Sequence, residues 1–101
     1  MFFFNTEELL LFRENFRLSN HALREAHKEG LRAKDVFYAV FNGEILEQYP
    51  ERERVLVSGP AQQYGDLPVH VVCEYNDPDA LVVVTVYIPN RPYWMTTDVR
   101  G

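Results

Sequence analysis

The sequence has little cysteine, no long apolar run and no excess of positive charge, and each absence excludes a class of protein. Cys73 is the single cysteine among 101 residues, so no internal disulfide or cysteine-based zinc site can form, as is typical of a reducing compartment. No stretch approaches the roughly eighteen apolar residues of a membrane span. The apolar start, Met1–Phe4, has no basic lead and is followed at once by polar residues. These absences predict a soluble cytoplasmic protein.

Positive charge is scarce along the whole chain. Ten Lys and Arg face fifteen Asp and Glu, which gives a formal net charge of −5. Eight of the basic residues lie in residues 1–54, but ten acidic residues lie there too. A surface that binds nucleic acid normally shows as a basic excess. A nucleic-acid site in this chain would therefore have to be a local patch.

The apolar content is sufficient for one folded domain over residues 1–101. Apolar residues make up 47% of the chain, and seven Phe, six Tyr and one Trp supply large side chains for a core. A chain of 101 residues is too short for two domains with separate cores. Disordered and collagen-like classes are excluded by the same composition.

The first half of the chain has helical spacing. The predicted helices cover Asn5 to about Asn15, Asn20–Glu29 and Ala33 to about Phe41, with residues 16–19 as a short break. Asn5 and Glu8 resemble a capping box, and Ser19 or Asn20 can cap the second helix. Gly30 stands where a left-handed residue would end that helix.

After Gly43 the period of the pattern changes from 3.6 to 2. The predicted strands are Glu44–Tyr49, Arg54–Ser58, Leu67–Tyr75 and Leu81–Ile88. Their short connections favour an antiparallel meander. The predicted fold is therefore α+β, with two to three N-terminal helices packed on one face of a four-stranded antiparallel sheet.

Strand alternation assigns the third strand two unlike faces. Val69, Val71 and Cys73 form an apolar face directed at the helices, where a cysteine is an inert core residue. His70 belongs to the opposite, open face, and pairing with the last strand would place Thr85 and Tyr87 beside it. This polar group is a candidate site, although a histidine hydrogen-bonded within a sheet is an equally good interpretation.

The two helical histidines differ in their surroundings. His21 lies in the first turn of a helix, where the positive end of the dipole disfavours imidazolium. It could act as a base or bind a phosphate oxygen, or it could simply cap the helix or pack on the sheet. His27 should face solvent. His21 and Glu25 lie four residues apart but have no third ligand at a clear spacing, so neither a metal nor a cofactor is predicted.

A set of short motifs, taken in order, resembles a known family. The motifs are Ser19-Asn20-His21-Ala22, Gly30-Leu31, Asp35-Val36, Ala39, Gly43-Glu44-Ile45, Glu47, Tyr49-Pro50, Leu67-Pro68-Val69-His70-Val71-Val72, Thr85-Val86-Tyr87 with Pro89, and Trp94. From about Phe16 to Arg100 the chain resembles a bacterial family of small RelE-like proteins of unknown function. The resemblance implies a RelE/ParE-type fold and a toxin of a toxin–antitoxin pair, most simply an endoribonuclease.

The resemblance also implies roles for individual residues. His21 or His70 would be the general acid or base, with Thr85 and Tyr87 beside it and Tyr87 orienting or stacking on a base. Arg24 or Arg91 would neutralise the scissile phosphate. The implied partners are a zinc-finger type antitoxin and RNA or the ribosome, while DNA and membranes are not expected.

A second interpretation keeps the same fold without catalysis, as a protein-interaction or regulatory module. The family pattern has an arginine four residues after the helix histidine, and this chain has Glu25 there, with Arg24 next to it as a substitute. Loss of that arginine removes a phosphate clamp. The acidic charge and the pair Tyr93-Trp94 point the same way, although these aromatic side chains could equally pin the C-terminal segment into the core.

Overall fold

The computed structural model describes residues 1–61 and 67–89. Within these ranges the chain is a mixed α+β fold of three α-helices and five strands. The helices are α1 Thr6–Leu11, α2 Asn20–Lys28 and α3 Ala33–Phe41, and a 3₁₀ turn covers Pro50–Arg52. The strands are β1 Asn15–Leu18, β2 Glu44–Tyr49, β3 Arg54–Pro60, β4 Pro68–Glu74 and β5 Ala80–Tyr87. None of the described helices is long and apolar enough to cross a membrane.

The helices begin and end at residues that satisfy their free backbone groups. Asn5 Oδ1 accepts a hydrogen bond from the Glu8 N–H at 2.9 Å, and Ser19 Oγ accepts one from the Ala22 N–H at 3.0 Å. Gly30 is left-handed with φ 77°, and the following Leu31 N–H donates to Ala26 O at 2.8 Å. The predicted caps of α1 and α2 and the predicted end of α2 are therefore confirmed, although α1 ends earlier than predicted, at Leu11.

The prediction of a four-stranded, wholly antiparallel sheet is wrong. Residues 16–19, predicted as a break between helices, lie largely in β1, a fifth strand that pairs parallel to β5 with Phe16 opposite Leu81. β1 has only four residues, and its partner strand lies far along the chain. No alternating pattern or turn residue near β1 therefore predicts a strand there. It is held at its end by the Ser19 N–H, which donates to Val83 O at 2.9 Å.

The other four strands form the predicted meander. The sheet order is β1-β5-β4-β3-β2, and β2 to β5 pair antiparallel with their neighbours along the chain. Short connections allow only this arrangement, because parallel neighbours would need long crossovers. β1 forms the edge of the sheet beside β5, at the opposite end from β2.

One face of the sheet is covered by α2 and α3. Helix α2 packs on β5, and α3 packs on β3 and β4. Alternate strand residues point into this core, and they are fully buried: Val55, Val57, Val69, Val71, Cys73, Val83 and Val86. The predicted core face of the third predicted strand is confirmed, and Cys73 belongs to it. The opposite side of the sheet receives neither helix.

Helix α3 and strand β3 approach each other backbone to backbone. A Cβ atom added to Gly59 would lie 1.7 Å from the carbonyl oxygen of Ala39 and 2.8 Å from its Cα. One added to Gly43 would lie 2.5 Å from the same Ala39 oxygen. These neighbours are main-chain atoms and cannot rotate away, so both glycines are required for the helix to reach this depth.

We predict that Gly59→Ala lowers the free energy of unfolding by about 3 kcal/mol or more, because the added methyl would force α3 off the sheet. Ser58→Ala is the matched control, since Ser58 is the preceding residue of β3 but faces the uncovered side. It should change the stability by no more than about 0.5 kcal/mol. Urea unfolding of both variants measures the difference, and equal losses would contradict the packing argument.

Candidate functional site on the open sheet face

The side of the sheet on which none of the described helices packs, here called the open face, carries the strand residues that point away from the helices. Residues that pair directly across neighbouring strands point to the same face of the sheet. The strand pairings therefore extend the open face from β2 to β5. Besides the buried Val82, which pairs with Glu74, this face carries Glu44, Glu47, Tyr49, Arg54, Leu56, Ser58, His70, Val72, Glu74, Thr85 and Tyr87, eleven residues of β2 to β5. These side chains are partly or largely exposed.

His70 and Tyr87 form a direct contact at the β5 side of the open face. They are paired across β4 and β5, with Val72 opposite Thr85 in the next position on this face. Tyr87 Oη lies 3.3 Å from His70 Nδ1, and the two rings meet edge to face with centroids 5.2 Å apart. The structure therefore brings His70, Thr85 and Tyr87 to one face, as alternation along the strands predicted.

An extra residue in β5 makes this alignment possible. Val83 and Val86 are three positions apart and both lie in the core, which strict alternation forbids. The pairing slips between Val72 and Cys73, so that Val84 is the additional residue and Thr85 and Tyr87 turn to the open face. This bulge keeps Val83 and Val86 in the core and also directs Thr85 and Tyr87 to the open face.

His70 has an environment that favours a neutral imidazole. Its partial burial lowers the pKa of His70 below its ordinary value of 6.5, and the negative charge of Glu47 opposes that shift. A neutral ring can accept a proton at neutral pH. No described residue forms a hydrogen bond with Nε2.

Glu47 and Tyr49 of β2 extend the site and were given no role in the sequence analysis. The Tyr49 hydroxyl donates a hydrogen bond to Glu47 Oε1. That bond raises the pKa of the Tyr49 phenol, and the negative charge of Glu47 and the Tyr87 phenol add to the shift. A register shift between Ile45 and Glu47 hides both residues from a simple alternation, which would place Glu47 with Ile45 on the core side. The register shift also shows in the burial of Ile45 and Gln48, which both face inward although they are three positions apart.

The structure does not join His21 to the strand residues. Helix α2 lies on the core side of the sheet, where Ala22 and Ala26 are buried, while His21, Arg24 and His27 are exposed. No hydrogen bond, ion pair or ring contact links His21 with His70. The predicted solvent exposure of His27 is confirmed. Arg91, Tyr93 and Trp94 lie outside the described residues.

The positive charges on the strands are all neutralised. Across the five strands of the described chain there are two arginines, Arg17 and Arg54, and no lysine. Arg17 lies 3.2 Å from Asp77, and Arg54 lies 2.6 Å from Glu74. Glu44 and Glu47, in contrast, have no basic partner among the described residues. The open face therefore presents net negative charge.

Two other chemistries receive no geometric support from the described chain. Burial raises the pKa of Cys73 to about 12, so its thiol is not a nucleophile at neutral pH. In residues 1–61 and 67–89 no three His, Cys, Asp or Glu side chains come together as metal ligands would.

The fold and the open face define an α+β protein with helices on one side of a mixed sheet and a histidine–tyrosine pair on the other. The family of proteins described as Domain of unknown function (DUF4258) matches residues 18–88, which is more than half of the chain. The chain belongs to this family. No curated protein and no solved structure matches it.

We predict that His70 titrates below pH 6.5 in the folded protein and that Glu47→Gln lowers its pKa further, because that variant removes the charge that opposes the burial effect. Since the folded state then binds fewer protons than the unfolded state, lowering the pH from 6.5 through the folded pKa reduces the free energy of unfolding.

The imidazole resonances of His70, followed by NMR against pH, give both pKa values. Glu44→Gln is the control, because Glu44 lies on the same strand and face but does not shift the pKa of His70. An unchanged titration in Glu47→Gln would contradict the assignment of Glu47 to this site.

Proposed function

We propose that this protein is a RelE-like toxin of a toxin–antitoxin pair and that it cleaves RNA on its open sheet face. The single observation that supports the proposal most is the contact between His70 Nδ1 and Tyr87 Oη at 3.3 Å on an uncovered sheet surface. Core packing does not require this polar pair. The order of motifs along the chain, with helices before an antiparallel meander, adds support for the RelE-like assignment.

RNA cleavage needs little from the protein, because the 2′-hydroxyl of the substrate is itself the nucleophile. In the proposed reaction, neutral His70 accepts the 2′-hydroxyl proton through Nε2 while the 2′-oxygen attacks phosphorus. The bond from phosphorus to the 5′-oxygen breaks, and the departing oxygen takes a proton from water. The products are a 2′,3′-cyclic phosphate and a 5′-hydroxyl. Tyr87 orients His70 or stacks on a base, and Thr85 lies beside it.

The phosphate requires a cation that is not already bound to a carboxylate. Arg17 and Arg54 are each paired with an acid, so neither serves without losing its partner. Arg24 is exposed on α2, on the other side of the sheet from His70. Of the two arginines that the family resemblance implies, Arg91 is therefore the proposed phosphate ligand, on its place in the sequence alone, since it lies outside the described residues.

Expression of the protein should arrest bacterial growth, and His70→Ala should relieve the arrest. In vitro, His70→Ala should slow RNA cleavage by about 100-fold or more, the usual contribution of a general base. The measurement is the rate of appearance of fragments ending in a 2′,3′-cyclic phosphate, with and without ribosomes.

His27→Ala is the matched control, since His27 is an exposed histidine on α2, which packs on the face of the sheet opposite His70. It should leave both growth arrest and cleavage unchanged. His21→Ala, assayed in parallel, decides whether the helix histidine takes part. A wild-type protein that neither arrests growth nor cleaves RNA under either condition would end the ribonuclease proposal.

A second function, a non-catalytic module that binds another protein, is favoured by the charge of the open face. Glu44 and Glu47 have no basic partner in the described part of the chain while both strand arginines are neutralised, so RNA phosphates would meet repulsion there. A basic protein would instead be attracted. An antitoxin-like partner, the kind the family resemblance implies, would satisfy this description.

A further inference from the structure

Two exposed tyrosines share the open face with Glu47, a carboxylate that has no basic partner among the described residues. Tyr49 and Tyr87 expose 40% and 37% of their surface. Tyr49 donates its hydroxyl proton to Glu47 Oε1, and Glu47 Oε2 makes no hydrogen bond with another described residue. One hydrogen bond fixes the position of this carboxylate. Its second oxygen can therefore accept a hydrogen bond from a ligand.

Two pairs of side chains share the open face, on either side of β3. Glu47 and Tyr49 lie on β2, whereas His70 and Tyr87 lie on β4 and β5. All four residues belong to the open face, and the charge of Glu47 opposes the lowering of the pKa of His70, while Tyr87 contributes to the raised pKa of Tyr49. Leu56, directly opposite Glu47 and Val72 in the pairing, provides an apolar floor between them.

The negative charge of Glu47 and the neighbouring tyrosine rings determine which ligands this part of the open face can bind. A carboxylate and the faces of two phenol rings both attract positive charge. The strand arginines do not compensate the charge of Glu47, because Glu74 and Asp77 already hold them. A phosphate or another anion would be repelled by Glu47, while an ammonium or guanidinium group would gain an ion pair and a ring contact together.

We infer that Glu47, Tyr49 and Tyr87 form a receptor for one cationic side chain, a lysine or arginine presented by a basic partner protein that covers the open face. The inference rests on the second proposed function, binding of another protein, and is independent of RNA cleavage. The partner's apolar residues would cover Leu56 and Val72, which lie partly exposed beside the receptor.

A capped peptide of six arginines serves as the probe of the receptor. It should bind the full-length protein and shift the ring resonances of Tyr49 and Tyr87 in NMR spectra. Glu47→Gln should weaken binding about tenfold, because it removes the ion pair but keeps the shape of the side chain. Tyr49→Leu should weaken binding about threefold, since it removes one ring face.

Glu44→Gln is the decisive control for this inference. It lowers the negative charge of the same strand and face by the same amount, but none of the described tyrosines forms a hydrogen bond with Glu44. Its effect should be much smaller than that of Glu47→Gln.

Equal weakening by Glu44→Gln and Glu47→Gln, with the peptide still on the open face, would overturn the receptor and leave the protein-binding function in place. Absence of binding, or resonance shifts confined to residues off the open face, would overturn both. RNA cleavage is assayed separately, and neither of these outcomes alters its result.

Discussion

Helix α3 lies directly on β3 because the two elements meet at residues with almost no side chain. Gly59 has no side chain at the point where its backbone meets Ala39. Gly43, just after α3, also lies close to the carbonyl oxygen of Ala39. A helix seated this closely buries Val36, Ala39 and Val40 on the core side of the sheet. Both packing helices therefore occupy one side, and the polar residues of β2 to β5 are left on the other.

The chemistry of the open face depends on departures from regular pairing. Each of two strands carries an extra residue, near Leu46 in β2 and at Val84 in β5. The shift in β5 sends Val83 and Val86 inward together and thereby turns Tyr87 towards His70. The shift in β2 turns Glu47 and Tyr49 to the same surface. Bulges often lie beside sites for this reason, because they redirect side chains without breaking the sheet.

Much of the fold could be predicted from local signals. Ser19 and Gly30 mark the ends of α2 through backbone hydrogen bonds that depend only on neighbouring residues. Alternation in β4 identified the core face and placed His70 opposite to it. β1 could not be found in this way, because its four residues gain their structure from pairing with Ala80 to Val83, far along the chain.

The candidate site was accessible to sequence reasoning only where the strands are regular. His70, Thr85 and Tyr87 were grouped correctly, since alternation within β4 and at the end of β5 holds without interruption. Glu47 and Tyr49 received no role, because one additional residue reverses the direction of every side chain that follows it. Arginine pairing was equally hidden, since Arg17 meets Asp77 and Arg54 meets Glu74 only after the sheet has formed.

The parallel pairing of β1 with β5 has a consequence for the order in which the protein can be made. A ribosome releases β1 early, but β1 has no strand to pair with until Ala80 to Val83 have also emerged. His70 likewise has no ring partner until Tyr87 has been synthesised. Contacts between such distant parts of a chain form late and make folding depend on the whole sequence. A nascent chain that ends before β5 is therefore without its sheet edge and without the open-face site, and any activity of this surface begins only after synthesis has passed Tyr87.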